Sequence, residues 1–75
     1  MALTDIESEI AGKVWKIETK PGQSLEEEDA ILILESMKME IPVEAPQNGT
    51  LSEILVAEGD PVEEGQIVAR MDISG

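Results

Sequence analysis

The sequence predicts an all-β domain, a flattened barrel or sandwich made from two copies of one strand unit. Three observations support this prediction: the chain repeats itself, its apolar runs have the length of strands, and turn residues recur at equivalent places. Neither copy is large enough to hide an apolar face alone, so the two copies must pack face to face about a pseudo-twofold axis.

The repeat is visible when the chain is laid over itself at an offset of 37 residues. The pairs that coincide include Gly12 with Gly49, Gly22 with Gly59, Val14 with Leu51, Ile17 with Ile54, and Leu34 with Met71. Because glycines and apolar positions match together without a gap, we expect one domain over residues 1–75. Its two halves cover about residues 8–37 and 45–74.

Each half should contain short strands. Segments 13–19 and 50–57 are rich in β-branched and apolar residues, and segments 31–34 and 67–71 are apolar runs of strand length. A further segment, 37–43, alternates in polarity with the period of two that is typical of a strand.

The strand predicted over residues 37–43 can be interpreted in another way. Pro42 within it favours an edge position or a bend, because proline cannot donate to a neighbouring strand. A helix over residues 26–39 is the alternative, since Glu, Leu, Met and Lys all favour helix. Pro42, the repeat and the lack of capping residues at both ends argue against the helix.

Glycines are expected to provide the tight turns, through backbone conformations that other residues avoid. The predicted turn glycines are Gly12, Gly22, Gly49, Gly59 and Gly65. Asn48-Gly49 is a strong signal for a two-residue turn before the second half. Glu28 stands where the second half has Gly65, so these two turns are expected to differ.

The composition excludes several classes of function. The chain has no cysteine and no histidine, which leaves no thiol nucleophile and neither the usual general base nor the commonest metal ligand. A net charge of −12 argues against nucleic acids and anionic membranes and favours partners with neutral or basic faces. Because the chain shows no signal peptide and no apolar run of membrane-spanning length, we expect a cytoplasmic protein. Because it lacks these catalytic groups, we also expect it to be non-catalytic.

The centre of the chain carries the one distinctive motif, Glu35-Ser36-Met37-Lys38-Met39-Glu40. At the repeat offset, Lys38 is equivalent to both chain ends, Met1 and Gly75. The turn that carries Lys38 should therefore project at the end of the domain opposite the termini.

A solvated lysine amine is almost entirely protonated at neutral pH, so Lys38 is a poor nucleophile unaided. It is better suited to be the substrate of another enzyme, for which Met37 and Met39 offer polarisable apolar contacts. The plainer interpretations are an ordinary surface lysine and methionines that fill gaps in a core.

At these residues the chain resembles the biotin-attachment motif of biotinyl domains, the biotin carboxyl carrier proteins. It is most similar to short stand-alone biotin/lipoyl attachment proteins, and the resemblance covers about residues 6–73. The family implies a barrel-sandwich hybrid of two four-stranded antiparallel sheets, with Lys38 on a tight hairpin. Departures include residues 8–12, where the family often has a Pro-Met-Pro-Gly-like stretch, and Ser36 in place of alanine.

The resemblance also implies a function. Lys38 would receive biotin from biotin protein ligase and shuttle a carboxyl group between the biotin carboxylase and carboxyltransferase of an acyl-CoA-type carboxylase. The residues implied in ligase recognition are Glu35, Ser36, Met37, Met39 and Glu40. The alternatives are a lipoyl carrier of a 2-oxoacid dehydrogenase-type complex and an unmodified interaction module.

Two further features stay open at this point. Trp15 is the only aromatic residue, and its repeat equivalent is Ser52, so it could face solvent, a partner or the core. The acidic run 26–29 lacks the ordered spacing of a cation site and is expected to be a solvated turn.

Overall fold

The computed structural model describes residues 2–73 and contains eight strands. The strands are β1 (Leu3–Glu7), β2 (Gly12–Ile17), β3 (Ser24–Leu25), β4 (Ala30–Ser36), β5 (Met39–Glu44), β6 (Gly49–Ile54), β7 (Pro61–Val62) and β8 (Ile67–Asp72). They form two four-stranded sheets of order β1-β8-β6-β3 and β5-β4-β2-β7. All pairings are antiparallel, which confirms the predicted fold class.

The strand pairings repeat at the predicted offset. Val14 pairs with Leu34 in one sheet, and their equivalents Leu51 and Met71 pair in the other. The bulges recur too, between residues 14 and 16 and between residues 51 and 53. Each sheet also takes a two-residue strand from the other half, β3 beside β6 and β7 beside β2. The halves are therefore interlocked rather than merely stacked.

The core lies between the sheets and is filled from equivalent positions of both halves. Its buried apolar residues are Ile6, Val14, Leu25, Ile31, Leu32, Leu34, Val43, Ala45, Leu51, Val62, Val68, Ala69 and Met71. Leu32 and Leu34 of β4 are fully buried, whereas Ile33 between them is only partly buried. From Leu32 onward this alternation gives β4 one core face and one outer face, whereas Ile31 is buried as well, at the bulge between Ala30 and Leu32.

The helix considered for residues 26–39 is wrong: this stretch contains a turn, β4, a second turn and the first residue of β5. β5 is an edge strand, as Pro42 predicted. The strands expected over 13–19 and 50–57 end earlier, at Ile17 and Ile54, and irregular segments lead from them to the turns at 21–22 and 58–59. The strand expected over 37–43 begins later, at Met39, because Met37 and Lys38 form the turn before it.

Three of the five turn glycines have the left-handed backbone expected of them, Gly22 (φ 93°), Gly59 (φ 94°) and Gly65 (φ 84°). Gly12 and Gly49 do not lie in turns; each begins a strand, so the two-residue turn predicted at Asn48-Gly49 is wrong.

Close backbone approach requires glycine at these two strand positions. A Cβ atom at Gly12 would lie 2.8 Å from the backbone oxygen of Glu35, and one at Gly49 would lie 2.6 Å from that of Asp72. Both distances are shorter than side chains tolerate against backbone.

The expected difference between the turns at Glu28 and Gly65 is also wrong. Glu28 has a φ of 73°, and its N–H donates to the Ala45 oxygen at 2.8 Å. The Gly65 N–H donates to the Ser8 oxygen at the same distance. The hydrogen bonds around the turn therefore hold a glutamate in a conformation that favours glycine.

Candidate functional site

Lys38 lies in the two-residue turn that joins β4 to β5. Ser36 pairs with Met39, which leaves only Met37 and Lys38 between the strands. Their φ values are 52° and 64°, both in the left-handed region. Positive φ at both central residues defines a type I′ turn, whose twist matches that of the flanking strands.

The residue types in this turn are unusual for its backbone. Type I′ turns favour Asn-Gly, because other L-residues cost about 1–2 kcal/mol each in the left-handed region. The β4–β5 register runs from Ala30 opposite Glu44 to Ser36 opposite Met39 and closes the hairpin after Ser36. Met37 and Lys38 are therefore the two residues left in the turn. Local backbone preference does not account for this choice of residues, and strain of this kind concentrates at functional positions.

The side chains around the turn are open to solvent. Met37 is 91% exposed and Met39 is 62% exposed, so the interpretation of these methionines as core gap-fillers is wrong. Lys38 is exposed as well, and within residues 2–73 its amine has neither an ion pair nor a hydrogen bond. A partner can therefore reach the amine and both thioethers without any unfolding.

The predicted flanking residues form the base of the turn. Glu35 and Glu40 pair directly across β4 and β5 and are both exposed, whereas Ser36 is half-buried. Like charges directly opposite are unfavourable, and Lys13, which pairs with Glu35 from β2, adds a compensating positive charge to this row. The structure thus brings all six residues of the central motif to one end of a single hairpin.

The other sequence predictions have mixed outcomes. Trp15 is 47% exposed at the bulge of β2, which excludes a core role. In the acidic run, the Asp29 carboxylate accepts a hydrogen bond from the Glu26 N–H at 2.9 Å and so closes the turn. No group of three acidic side chains within residues 2–73 is placed to share a metal ion.

The relation between Lys38 and the chain ends is only partly described. Met1 and Gly75, to which that prediction refers, lie outside the described residues. Next to them, the Ile73 N–H donates to the Ala2 oxygen at 2.8 Å, which places the equivalents of Ser36 and Met39 side by side.

In residues 2–73 no helix is long and apolar enough to cross a membrane.

Sequence reasoning missed β1, although the signal was present. Shifted back by the repeat offset, residues 40–44 fall on residues 3–7, and β1 covers Leu3–Glu7. It pairs with β8 in the same register as β5 with β4. Reading the repeat as circular would have predicted this strand.

Comparisons with known proteins agree on one family. The Biotin_lipoyl family model, described as "Biotin-requiring enzyme", matches residues 2–71. The biotin/lipoyl attachment protein of Bacillus subtilis is 41% identical over 66 residues, which are 88% of this chain and 90% of that protein. The biotinylated protein TB7.3 homolog of Mycobacterium leprae is 37% identical over 65 residues, which are 87% of this chain and 92% of that protein.

A solved structure extends the comparison to a large enzyme. The urea carboxylase of Kluyveromyces lactis superposes with a TM-score of 0.91 at 35% identity. The match covers 96% of this chain but only 6% of that one. This chain is thus similar to one small part of a much longer protein.

Proposed function

Because the chain belongs to the biotin/lipoyl attachment family and is a non-catalytic biotin carrier domain homologous to those of carboxylases, we propose that Lys38 is the attachment residue. One observation supports this assignment above the others. Lys38 presents an unpartnered, exposed amine at the apex of a two-residue turn, between two exposed methionines.

The residues at the turn suit amide formation with biotin. A biotin protein ligase would take the proton of the Lys38 ammonium, and Nζ would then attack the carbonyl carbon of an activated biotin. The new C–N bond forms as the activating group leaves with the electron pair of its own bond, and the nitrogen sheds a second proton. The type I′ turn holds the amine clear of the sheets for this attack.

Biotin attached to Lys38 would carry a carboxyl group from one partner enzyme to another. We propose that the partners are the ligase, a biotin carboxylase and a carboxyltransferase of an acyl-CoA-type carboxylase. The chain's own contribution is positional. A rigid hairpin on a small domain keeps the group at a high effective concentration near whichever partner the domain has docked with.

The test is the intact mass of the chain after incubation with biotin, ATP and a biotin protein ligase. We expect a gain of one biotinyl group on the native chain and none on Lys38→Arg, which keeps the charge but presents no primary amine. The matched control is Lys20→Arg, which alters another exposed lysine and should be modified as the native chain is.

Two results would contradict the proposal. A biotinyl group on Lys38→Arg would show that another residue is the attachment site. A native chain that gains mass with lipoate and its ligase, but not with biotin, would make the domain a lipoyl carrier.

A further inference from the structure

The outer faces of the two sheets differ at equivalent positions. On the sheet that contains β8, Arg70 stands between Asp5 of β1 and Glu53 of β6. Its guanidinium bonds both carboxylates, at 2.9 Å to Asp5 and 3.2 Å to Glu53. This face is therefore a polar, internally paired surface of the kind that water solvates well.

The hairpin-bearing sheet has different chemistry at the same three positions. Ile33 of β4 stands between Pro42 of β5 and Lys16 of β2, and residues paired across strands share a face. Trp15, at the adjacent bulge, is 47% exposed. We call the surface formed by Trp15, Lys16, Ile33 and Pro42 the Trp15 face. The other sheet has the same strand geometry, with the ion pairs of Arg70 at the equivalent positions. The fold therefore does not require an apolar surface here.

A small depression joins the Trp15 face to the base of the Lys38 hairpin. It has a volume of about 240 Å³ and is lined by Lys13, Val14, Trp15, Glu35 and Gly59. Ile33 and Pro42 belong to the two strands of the hairpin itself. Ile33 lies four residues before Met37, or about 13 Å at the rise of a strand. An enzyme that grips the turn therefore reaches the Trp15 face with the same surface.

Two lysines lie at this face, Lys13 opposite Glu35 and Lys16 opposite Ile33, and both are exposed in a chain of net charge −12. The Glu58 carboxylate, which accepts from the Ile17 N–H at 3.0 Å, lies beside them. The repeat equivalents of the two lysines are Thr50 and Glu53, so these cations are specific to the half whose strand β4 leads into the Lys38 turn. A partner that places an apolar centre on Trp15 and a carboxylate opposite Lys16 finds an opposite charge here, on a molecule whose surface is otherwise mostly acidic.

We propose that the Trp15 face is the docking surface through which biotin protein ligase recognises this domain. This inference rests on the function proposed for Lys38. The ligase must choose Lys38 over three other exposed lysines, and the turn alone offers only Met37 and Met39 as apolar contacts. It also meets the domain before biotin is attached, so the protein surface alone must supply the recognition. Tryptophan at the centre of a contact is the residue type that most often dominates binding.

The first measurement is the steady-state rate of biotinylation as a function of domain concentration. Trp15→Ser introduces the residue that the second half has at position 52. We expect its KM to rise about thirtyfold, as for loss of a binding hot spot, with kcat unchanged because Lys38 and its turn are untouched. The matched control is Leu55→Ser, which removes an apolar side chain of similar exposure, 43%, from the segment that directly follows β6 of the other sheet. Its KM should stay within about twofold of the native value.

The second measurement needs no substitution. The chain has one tryptophan, so 5-fluorotryptophan labelling gives a single ¹⁹F resonance at position 15. We expect this resonance to shift when ligase is added without ATP or biotin, and to return when excess unlabelled domain is added. The tryptophans of the ligase remain invisible in this spectrum.

The proposal would be overturned by a KM for Trp15→Ser within twofold of native, or by a ¹⁹F resonance that stays in place at ligase concentrations that saturate modification. Equal increases of KM in Trp15→Ser and Leu55→Ser would also overturn it, since both sheets would then matter alike. If the native chain is never biotinylated, the function proposed for Lys38 fails by itself. The ¹⁹F titration then still decides whether ligase docks on this face.

Discussion

The β4–β5 hairpin and the β8–β1 pair share one register, but only the hairpin is continuous in sequence. Glu35 faces Glu40 in the hairpin, and Asp72 faces Leu3 at the equivalent place. In the hairpin, Met37 and Lys38 join the two strands through left-handed backbone. In the counterpart, β8 and β1 are far apart in sequence, and the described residues of the two strands are linked last by the hydrogen bond that the Ile73 N–H donates to the Ala2 oxygen.

This comparison separates what the fold needs from what the function needs. Features common to both halves, such as the core residues, the bulges and the strand glycines, serve the architecture. Features present in one half only are the exposed methionines, Lys38 and the Trp15 face. They are confined to the hairpin side of the molecule, which is where a partner has to bind.

The largest effect should come from moving the lysine within the hairpin. In Lys38→Ala combined with Met39→Lys, the amine leaves the turn for the first residue of β5. Displacing a reacting group by a few ångström costs roughly a hundredfold in rate, so we expect at least that loss of biotinylation, measured by intact mass over time. Met39→Lys alone is the control and should still be modified at Lys38. Equal rates for the relocated and native lysines would mean that the apex position is unimportant.

A smaller effect, on stability, should follow from filling the two strand glycines. Gly49→Ala and Gly12→Ala both force a Cβ against backbone, with the closer contact at Gly49. Overpacking of this kind costs about 1–3 kcal/mol of unfolding free energy, so we expect about 2–3 kcal/mol for Gly49→Ala and slightly less for Gly12→Ala.

Urea denaturation measures both changes. Gly22→Ala is the comparison variant, because nothing lies near its Cβ and only its φ of 93° opposes a side chain. It should lose about 1–2 kcal/mol. If Gly12→Ala were harmless while Gly49→Ala was not, the two halves would not be packed alike.

The smallest effect should be a gain in stability from making the two halves more alike. Glu28→Gly gives the first half the residue that the second half has at position 65. Relief of left-handed strain, less the extra chain entropy of glycine, should raise the unfolding free energy by about 0.5–1 kcal/mol. Gly65→Glu should lower it by a similar amount in the same urea assay. A loss of stability in Glu28→Gly would indicate that the glutamate side chain makes a stabilising contact.

Apolar alternation placed Lys38 within a strand over residues 37–43, and its position on a tight hairpin was implied by the family resemblance. The sequence alone was enough to determine the repeat, the all-β class and the edge position of β5. Each of these depends on local periodicity or on comparing the chain with itself. Apolar spacing reports which face of a strand is buried, and the repeat at 37 residues carries that information from one half to the other. The assignment of Lys38 as the attachment residue stays a prediction until its modification is measured.

Only the tertiary structure decided why Gly12 and Gly49 are glycines, how Met37 and Lys38 hold a type I′ turn, and that Trp15 lies exposed beside Lys13 and Glu35. These properties arise between segments that are far apart in sequence. The carbonyl that excludes a side chain at Gly12 belongs to Glu35 on the neighbouring strand. Strand register brings such atoms within a few ångström of each other, and a pattern read along one strand contains no information about its neighbour.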